Sequence, residues 1–317
     1  FSRAAESGKK VAVVGGGPAG LSCAHRLATL GHDVVVFNRD AKPGGLNEYG
    51  IAAYKTVDDF AHKEVEYILS IGGIELRNNV ALGTDFTLDE LRDSYDAVFM
   101  GIGLAASNEL GLRRDSMPGV ESAIDYIADI RQTHDLTRLP VGRRVVVIGG
   151  GMTAIDIAVQ SKRLGAETVD IVYRRGPEQM GASRYEQDLA KKDGVVIHHW
   201  AKPLELCGPD HVSTIRFEQT ALDENGRLVS NGGQFELTAD TVFTAIGQAL
   251  DTTVLGEDNA GLQLSHDRIV VDDQGRTSLP DVWAGGDCVA PGDDLTVTAV
   301  QQGKVAAIDI DRFLREQ

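Results

Sequence analysis

Cysteine is nearly absent from this chain: Cys23, Cys207 and Cys288 are the only three in 317 residues. They lie far apart, so they form no C-x-x-C redox pair, zinc framework or run of iron–sulfur ligands. Few, scattered thiols fit a reducing cytoplasm. Nothing approaches the ~20 apolar residues of a membrane span, and the first residues do not resemble a signal peptide. Positive charge is also scarce, with 31 Lys and Arg against 47 Asp and Glu, a formal net charge of −16. Nucleic-acid binding rests on neutralising phosphates, so that balance argues against it. The adjacent His198 and His199 fall in a strand-like run and should point to opposite faces, so no metal ligand is assigned.

What the chain does have is glycine: 36 residues, above the typical ~7%. Seven of them belong to a motif that occurs twice. Val11-Ala12-Val13-Val14 runs into Gly15-Gly16-Gly17-Pro18-Ala19-Gly20, and Val145-Val146-Val147-Ile148 runs into Gly149-Gly150-Gly151-Met152-Thr153-Ala154. Each is an apolar strand, a G-x-G-x-x-G/A turn and a helical pattern, the context that a dinucleotide fingerprint requires. The first glycine turns the chain, the second lets the backbone approach a pyrophosphate, and the third lets the helix pack on the strand. The N–H groups at the helix start then face the phosphates with a partial positive charge. Two copies predict two dinucleotides.

Both helices end near a glycine, Gly31 and Gly165, and each leads to a second strand, Val34–Phe37 and Val169–Tyr173. The pattern predicts an α/β protein with two doubly wound parallel sheets. Turn signals at 223–226 and 231–233 predict a small antiparallel meander between about 203 and 238. A final helix from about Thr296 to Leu314 suggests that the chain's two ends belong together. The expected domains are 1–108 with 249–317, and an inserted 109–248.

At the position after the second strand, an acid suits a free ribose hydroxyl and arginine suits a 2′-phosphate. The first copy has Asn38 there. The second has Arg174-Arg175, which favours NADPH over NADH, although paired arginines also occur at ordinary solvated strand ends. Gly44-Gly45 before Leu46 would let backbone pass close to a bulky cofactor, or simply turn the chain after Pro43.

The first fingerprint, Gly44-Gly45-Leu46, Tyr49-Gly50-Ile51, Gly101-Ile102-Gly103, the second fingerprint, Tyr173-Arg174-Arg175 and Gly285-Gly286-Asp287 occur in a telling order. Together they resemble the FAD- and NAD(P)-binding part of the glutamate synthase small subunit family. They look closer still to the related small subunit of bacterial dihydropyrimidine dehydrogenase, where a run like Gly101-Ile102-Gly103-Leu104 is familiar, so that type is expected, with the glutamate synthase small subunit as the alternative. The resemblance implies FAD in the outer domain, met by Gly15, Gly17, Pro18, Ala19 and Gly20, with Asn38 at the ribose. It places Gly45, Leu46, Lys55, the backbone near Leu82, Gly101, Gly103 and Gly286 around the cofactor. Asp287 would bond the ribityl chain, and Thr296 and Val297 would bring the last helix to the flavin ring. NAD(P)H would meet Gly150, Gly151, Met152, Thr153, Arg174, Arg175, Ala245, Ile246 and Gly247.

The implied activity is an NAD(P)H oxidoreductase that moves hydride to FAD and passes electrons to an iron–sulfur domain or partner subunit. The cofactors carry that chemistry, so no catalytic side chain is expected. Family members carry such clusters on an N-terminal cysteine-rich domain. This chain opens on Phe1 and has too few cysteines for one, so it is expected to be a fragment or a cluster-free form. A rival reading is a non-catalytic FAD-containing scaffold or nucleotide sensor. A thioredoxin-reductase-like disulfide enzyme is disfavoured by the missing C-x-x-C.

Overall fold

Runs of β-branched residues form the strands, and the helices begin where the glycine turns release the chain. A computed structural model describes every residue except Pro291, Asp293 and Gln317. The principal elements are β1 (Lys10–Val14), α1 (Pro18–Thr29), β2 (Asp33–Asn38), α2 (Phe60–Leu69), β3 (Ile74–Asn78), α3 (Leu88–Ser94) and β4 (Ala97–Met100). Then come β5 (Val120–Ser122), α4 (Ala123–Gln132), β6 (Arg144–Gly149), α5 (Met152–Arg163), β7 (Thr168–Tyr173), α6 (Arg184–Lys192) and β8 (Val196–His199). The remainder are β9 (Ala201–Cys207), β10 (Thr214–Leu222), β11 (Leu228–Thr238), β12 (Thr241–Ala245), β13 (Val282–Ala284) and α7 (Thr296–Arg315).

The chain divides into two compact units. One comprises Phe1–Glu48, Thr56–Ala106 and Ala249–Gln317; the other comprises Tyr49–Lys55 and Ser107–Gln248. The seven residues from Tyr49 to Lys55 therefore belong with the second unit, where the sequence boundaries put them with the first. Local periodicity carries no sign of such an excursion.

In the first unit a parallel sheet runs β13-β4-β1-β2-β3, with Val13 opposite Val36 on β2 and Phe99 on β4. Alternation along β1 divides the core. Val11 and Val13 pack with α1 and α7, while Ala12 and Val14 pack with Val98, Met100, Ile269 and Val289. Helices α1 and α7 approach closely because Gly303 lacks a side chain: a Cβ there would lie 2.1 Å from the carbonyl oxygen of Ala19.

The second unit repeats the plan. Its parallel sheet runs β5-β12-β6-β7-β8, and Val147 stands opposite Ile171. Val145 and Val147 face α4 and α5. Val146 and Ile148 face the antiparallel sheet β9-β10-β11, which is the expected meander. Gly31 (φ +97°) and Gly165 (φ +112°) follow the ends of α1 and α5 as expected.

Helix starts differ in a way that bears on function. Capping boxes close α3 (Thr87 with Glu90) and α6 (Ser183 with Glu186). No side chain caps α1, α2, α4, α5 or α7, and of these α1 and α5 begin at a glycine, Gly17 and Gly151. Among the described residues no helix is long and apolar enough to cross a membrane.

Candidate functional site

In the first unit β1 turns into α1 through Gly15, whose φ of +105° suits glycine. A Cβ on Gly15 would lie 2.2 Å from the Gly101 carbonyl oxygen. Gly101 is itself held by its N–H donating to Val14 at 2.7 Å. Gly17 has room for close approach: a Cβ there would touch only the Gly45 Cα, at 3.8 Å. The Gly44 N–H donates to the Gly16 carbonyl at 2.7 Å, so the second glycine pair folds back onto the fingerprint. Pro18 stands in the first turn of α1, with Ala19 and Gly20 buried behind it. The result is a helix start without a side-chain cap, bordered by backbone rather than bulky side chains, which fits a pyrophosphate.

The other FAD residues fall into place unevenly. Asp287 is half-buried, and its carboxylate makes no hydrogen bond or ion pair with a described residue. Burial, then the neighbouring Asp294, holds its pKa above the usual carboxylate range against the pull of Arg268. A partly desolvated acceptor without a donor suits a hydroxyl-bearing ligand. The adjoining Gly286 N–H is fixed by Gln302 Oε1 at 2.7 Å. Thr296 donates to Asn47 Oδ1 at 3.3 Å, Val297 is exposed, and both lie at the uncapped start of α7. Leu46 is partly open to solvent and Gly103 (φ +63°) has free space about it. The Leu82 side chain is buried in the core beside a short bridge to Phe86, leaving its backbone for any ligand.

Two of the expected FAD contacts already have protein partners. Asn38 is 4% exposed, and its Nδ2 donates to the carbonyls of Asp40 (2.8 Å) and Lys42 (3.0 Å) and to Asn78 Oδ1 (3.0 Å). Its Oδ1 faces Gly16, where a Cβ would come within 2.7 Å. Asn38 thus braces the glycine turn, and its amide donors are engaged by protein. Lys55 lies in the second unit, its ammonium 2.7 Å from Asp156 and 2.6 Å from Glu186. Two carboxylates hold the charge of a residue that the resemblance places near FAD.

The second unit has its own cradle. A Cβ on Gly149 would lie 2.2 Å from the Ala245 carbonyl oxygen, matching Gly15 against Gly101. Gly150 lies under the Tyr173 ring, and Tyr173 is fixed by donating to the Gln179 carbonyl at 2.6 Å. A Cβ on Gly151 would meet nothing within 4 Å; beyond it lie the exposed Met152 and then Thr153. Ile246 accepts a bond from Asn108 Nδ2 at 3.3 Å, and Gly247 has φ +98°. Arg174 and Arg175 are exposed just past β7, and their guanidinium groups pair with no described residue. Uncommitted paired cations at a strand end fit a phosphate.

Sequence reasoning missed a cluster in this unit. Tyr54 donates to Asp156 at 3.0 Å, Gln160 Oε1 accepts from the Ala53 N–H at 3.3 Å, and Arg163 covers the Tyr54 ring at 4.5 Å. Burial alone would lower the Lys55 pKa, but hydrogen bonds to Asp156 and Glu186 outweigh it and raise the pKa. Burial would raise Glu186, yet its bonds from Lys55 and Ser183 bring it below the usual range. One signal was available: Asp156 interrupts the apolar run of α5, and every residue from Ala154 to Ser161 is buried.

A family model described as pyridine nucleotide-disulphide oxidoreductase matches residues 9–303. The chain belongs to that family. It is therefore an FAD-dependent NAD(P)H oxidoreductase with FAD and NADPH (or NADH) as cofactors. The glutamate synthase small-subunit resemblance is borne out among its relatives. The Escherichia coli glutamate synthase [NADPH] small chain is 37% identical over 98% of this chain and 69% of its own length. The NADP(+)-dependent formate dehydrogenase subunit beta of Moorella thermoacetica is 36% identical, over 99% of this chain and 45% of its own. This chain thus spans between about half and two thirds of those relatives. In fold it resembles FprA from Mycobacterium tuberculosis in complex with NADPH, with a TM-score of 0.78 at 21% identity over 97% of this chain and 85% of that one. Despite the family's name, Cys23, Cys207 and Cys288 are all free, so they form no disulphide here.

Proposed function

We propose that this oxidoreductase is an electron-input module, taking hydride from NADPH and delivering electrons to an iron–sulfur domain or partner subunit in a reducing cytoplasm. The observation that carries the proposal is the repeated cradle, an uncapped helix start behind a glycine turn in each unit. When bound, FAD and NADPH supply hydride transfer and the step from two-electron to one-electron chemistry. The chain's own residues hold and orient the cofactors. Gly17 to Gly20 and Gly151 to Thr153 present N–H groups to the two pyrophosphates. Asp287 accepts from a flavin hydroxyl, and Arg174 with Arg175 neutralises the coenzyme's 2′-phosphate. At the start of α7, the helix dipole favours negative charge near Thr296 and Val297.

The names of the relatives favour the glutamate synthase type of input module. The Gly101-Ile102-Gly103-Leu104 run favours the dihydropyrimidine dehydrogenase type, a finer reading that we retain as an alternative. Either predicts that the FAD-loaded chain reduces ferricyanide with NADPH under steady-state conditions. A yellow protein that passes no electrons to ferricyanide would favour the scaffold reading instead.

A further inference from the structure

In the first unit, two of the expected flavin contacts, Asp287 and the start of α7, are tied to one residue that has no role so far, Arg268. Arg268 opens a short strand, Arg268–Val270, at the close of a tight hairpin. The two central residues of that hairpin, His266 (φ +50°) and Asp267 (φ +56°), are both left-handed, and Ser265 stands opposite Arg268 across it. On its other side the strand runs parallel to Val289–Ala290, with the Ile269 N–H donating to the Cys288 carbonyl at 2.8 Å. The backbone thus sets Arg268 beside the chain at Asp287, and its guanidinium is the cation that faces that carboxylate.

Among the described residues the guanidinium bonds to Asp294 rather than to Asp287. It closes as a fork, Nη1 donating to Oδ1 at 2.7 Å and Nη2 to Oδ2 at 3.0 Å. Asp294 lies two residues before Thr296, the first residue of α7, and Leu295 between them supplies no side-chain cap. The aim of the N–H groups in the first turn of α7 is therefore set from outside the helix. Two ties do this, the fork at Asp294 and the bond from Thr296 to Asn47 at 3.3 Å. The fork is bidentate and charge-assisted, which makes it the stronger tie. Asp294 is exposed, so the pair contributes little to stability, but a planar fork on the partly buried Arg268 specifies position. A lysine, as a point charge, lacks that geometry.

We propose that Arg268 is a positioning residue for the flavin: its fork on Asp294 aims the first turn of α7, so that the helix N–H groups meet the negative charge of the reduced ring. The proposal rests on the reading of Asp287 and the start of α7 as flavin contacts.

The midpoint potential of the bound flavin tests it, because that potential reports how much more tightly the protein holds the reduced ring than the oxidised one. Equilibration with reference dyes during reduction by xanthine oxidase reads it without NADPH. Arg268→Gln should lower the preference for the reduced ring about tenfold, a drop of about 30 mV for a two-electron couple. Arg268→Lys, which keeps the charge and loses the fork, should fall likewise. Asp294→Ala decides between aim and charge. Removing a negative charge raises the potential if charge alone matters, whereas loss of aim lowers it. Lowered potentials in all three variants, with the melting temperature of the FAD-free protein within a few degrees of wild type, would support the proposal. A wild-type potential in Arg268→Lys, or a raised one in Asp294→Ala, would overturn it. Unmoved potentials while NADPH still reduces the wild-type flavin would overturn this inference and leave the electron-input function standing. Failure of NADPH to reduce the wild-type flavin would overturn that function, and the dye-read potentials would still decide the role of Arg268.

Discussion

At the scale of single residues, identity and role separate most clearly at Asn38. Its place at the end of β2 suggests a ribose contact, yet its amide donates to Asp40, Lys42 and Asn78. Asn38→Asp removes those donors and sets a carboxylate against three oxygen acceptors. It should cost about 1–3 kcal/mol in denaturant unfolding and loosen FAD. Unchanged stability with tighter FAD would restore the ribose reading. Asp287 should behave in the opposite sense. Its folded pKa is raised, so its stabilising contribution is full below the unfolded pKa and disappears as pH rises through the folded one. Asp287→Asn should therefore stabilise the FAD-free protein near neutral pH, flatten its melting profile between acid and neutral, and weaken FAD. A variant that melts earlier yet keeps its flavin would contradict this. Arg174→Glu should weaken NADPH by on the order of tenfold or more and NADH far less, as charge-assisted bonds contribute about 1.5–3 kcal/mol. Equal loss of both would refute the phosphate assignment.

At the scale of elements, helix starts and close approaches were legible because they are local. Glycine turns, β-branched strands and the glycines ending α1 and α5 all follow from short-range sterics. The excursion of Tyr49–Lys55 was not legible, because it depends on partners more than a hundred residues away: Asp156, Gln160 and Glu186. Lys55→Met leaves two carboxylates facing each other with no cation between them, and should destabilise by about 3–5 kcal/mol. The pH window follows from both shifts. Glu186 stabilises above its unfolded pKa, and the effect is lost as pH falls through its depressed folded value. Lys55 stabilises below its unfolded pKa, and the effect is lost as pH rises through its elevated folded value. The wild-type advantage over Lys55→Met should thus be greatest between the carboxylate and lysine ranges and shrink at either extreme. A pH-independent difference would contradict the ion-pair account. Gly303→Leu should force α1 and α7 apart, lower the melting temperature and release FAD, since Ala19 lies in the same helix start that forms the cradle.

At the scale of the whole molecule, the two doubly wound sheets and the meander were readable because each fingerprint specifies a strand, a turn and a helix together. The candidate site's glycine turns were readable because backbone geometry sets them, as at Gly15, Gly17, Gly149 and Gly151. The site was less readable where a side chain's partner decides its role, as at Asn38 and Lys55. The central claim is that the chain passes hydride from one dinucleotide to the other. Anaerobic mixing of one equivalent of NADPH with the FAD-loaded protein tests it most directly. The account predicts rapid bleaching of the oxidised flavin band in a single turnover, slowed when the transferable hydrogen of NADPH is replaced by deuterium. A yellow solution that stays yellow, with the coenzyme unconsumed, would contradict it.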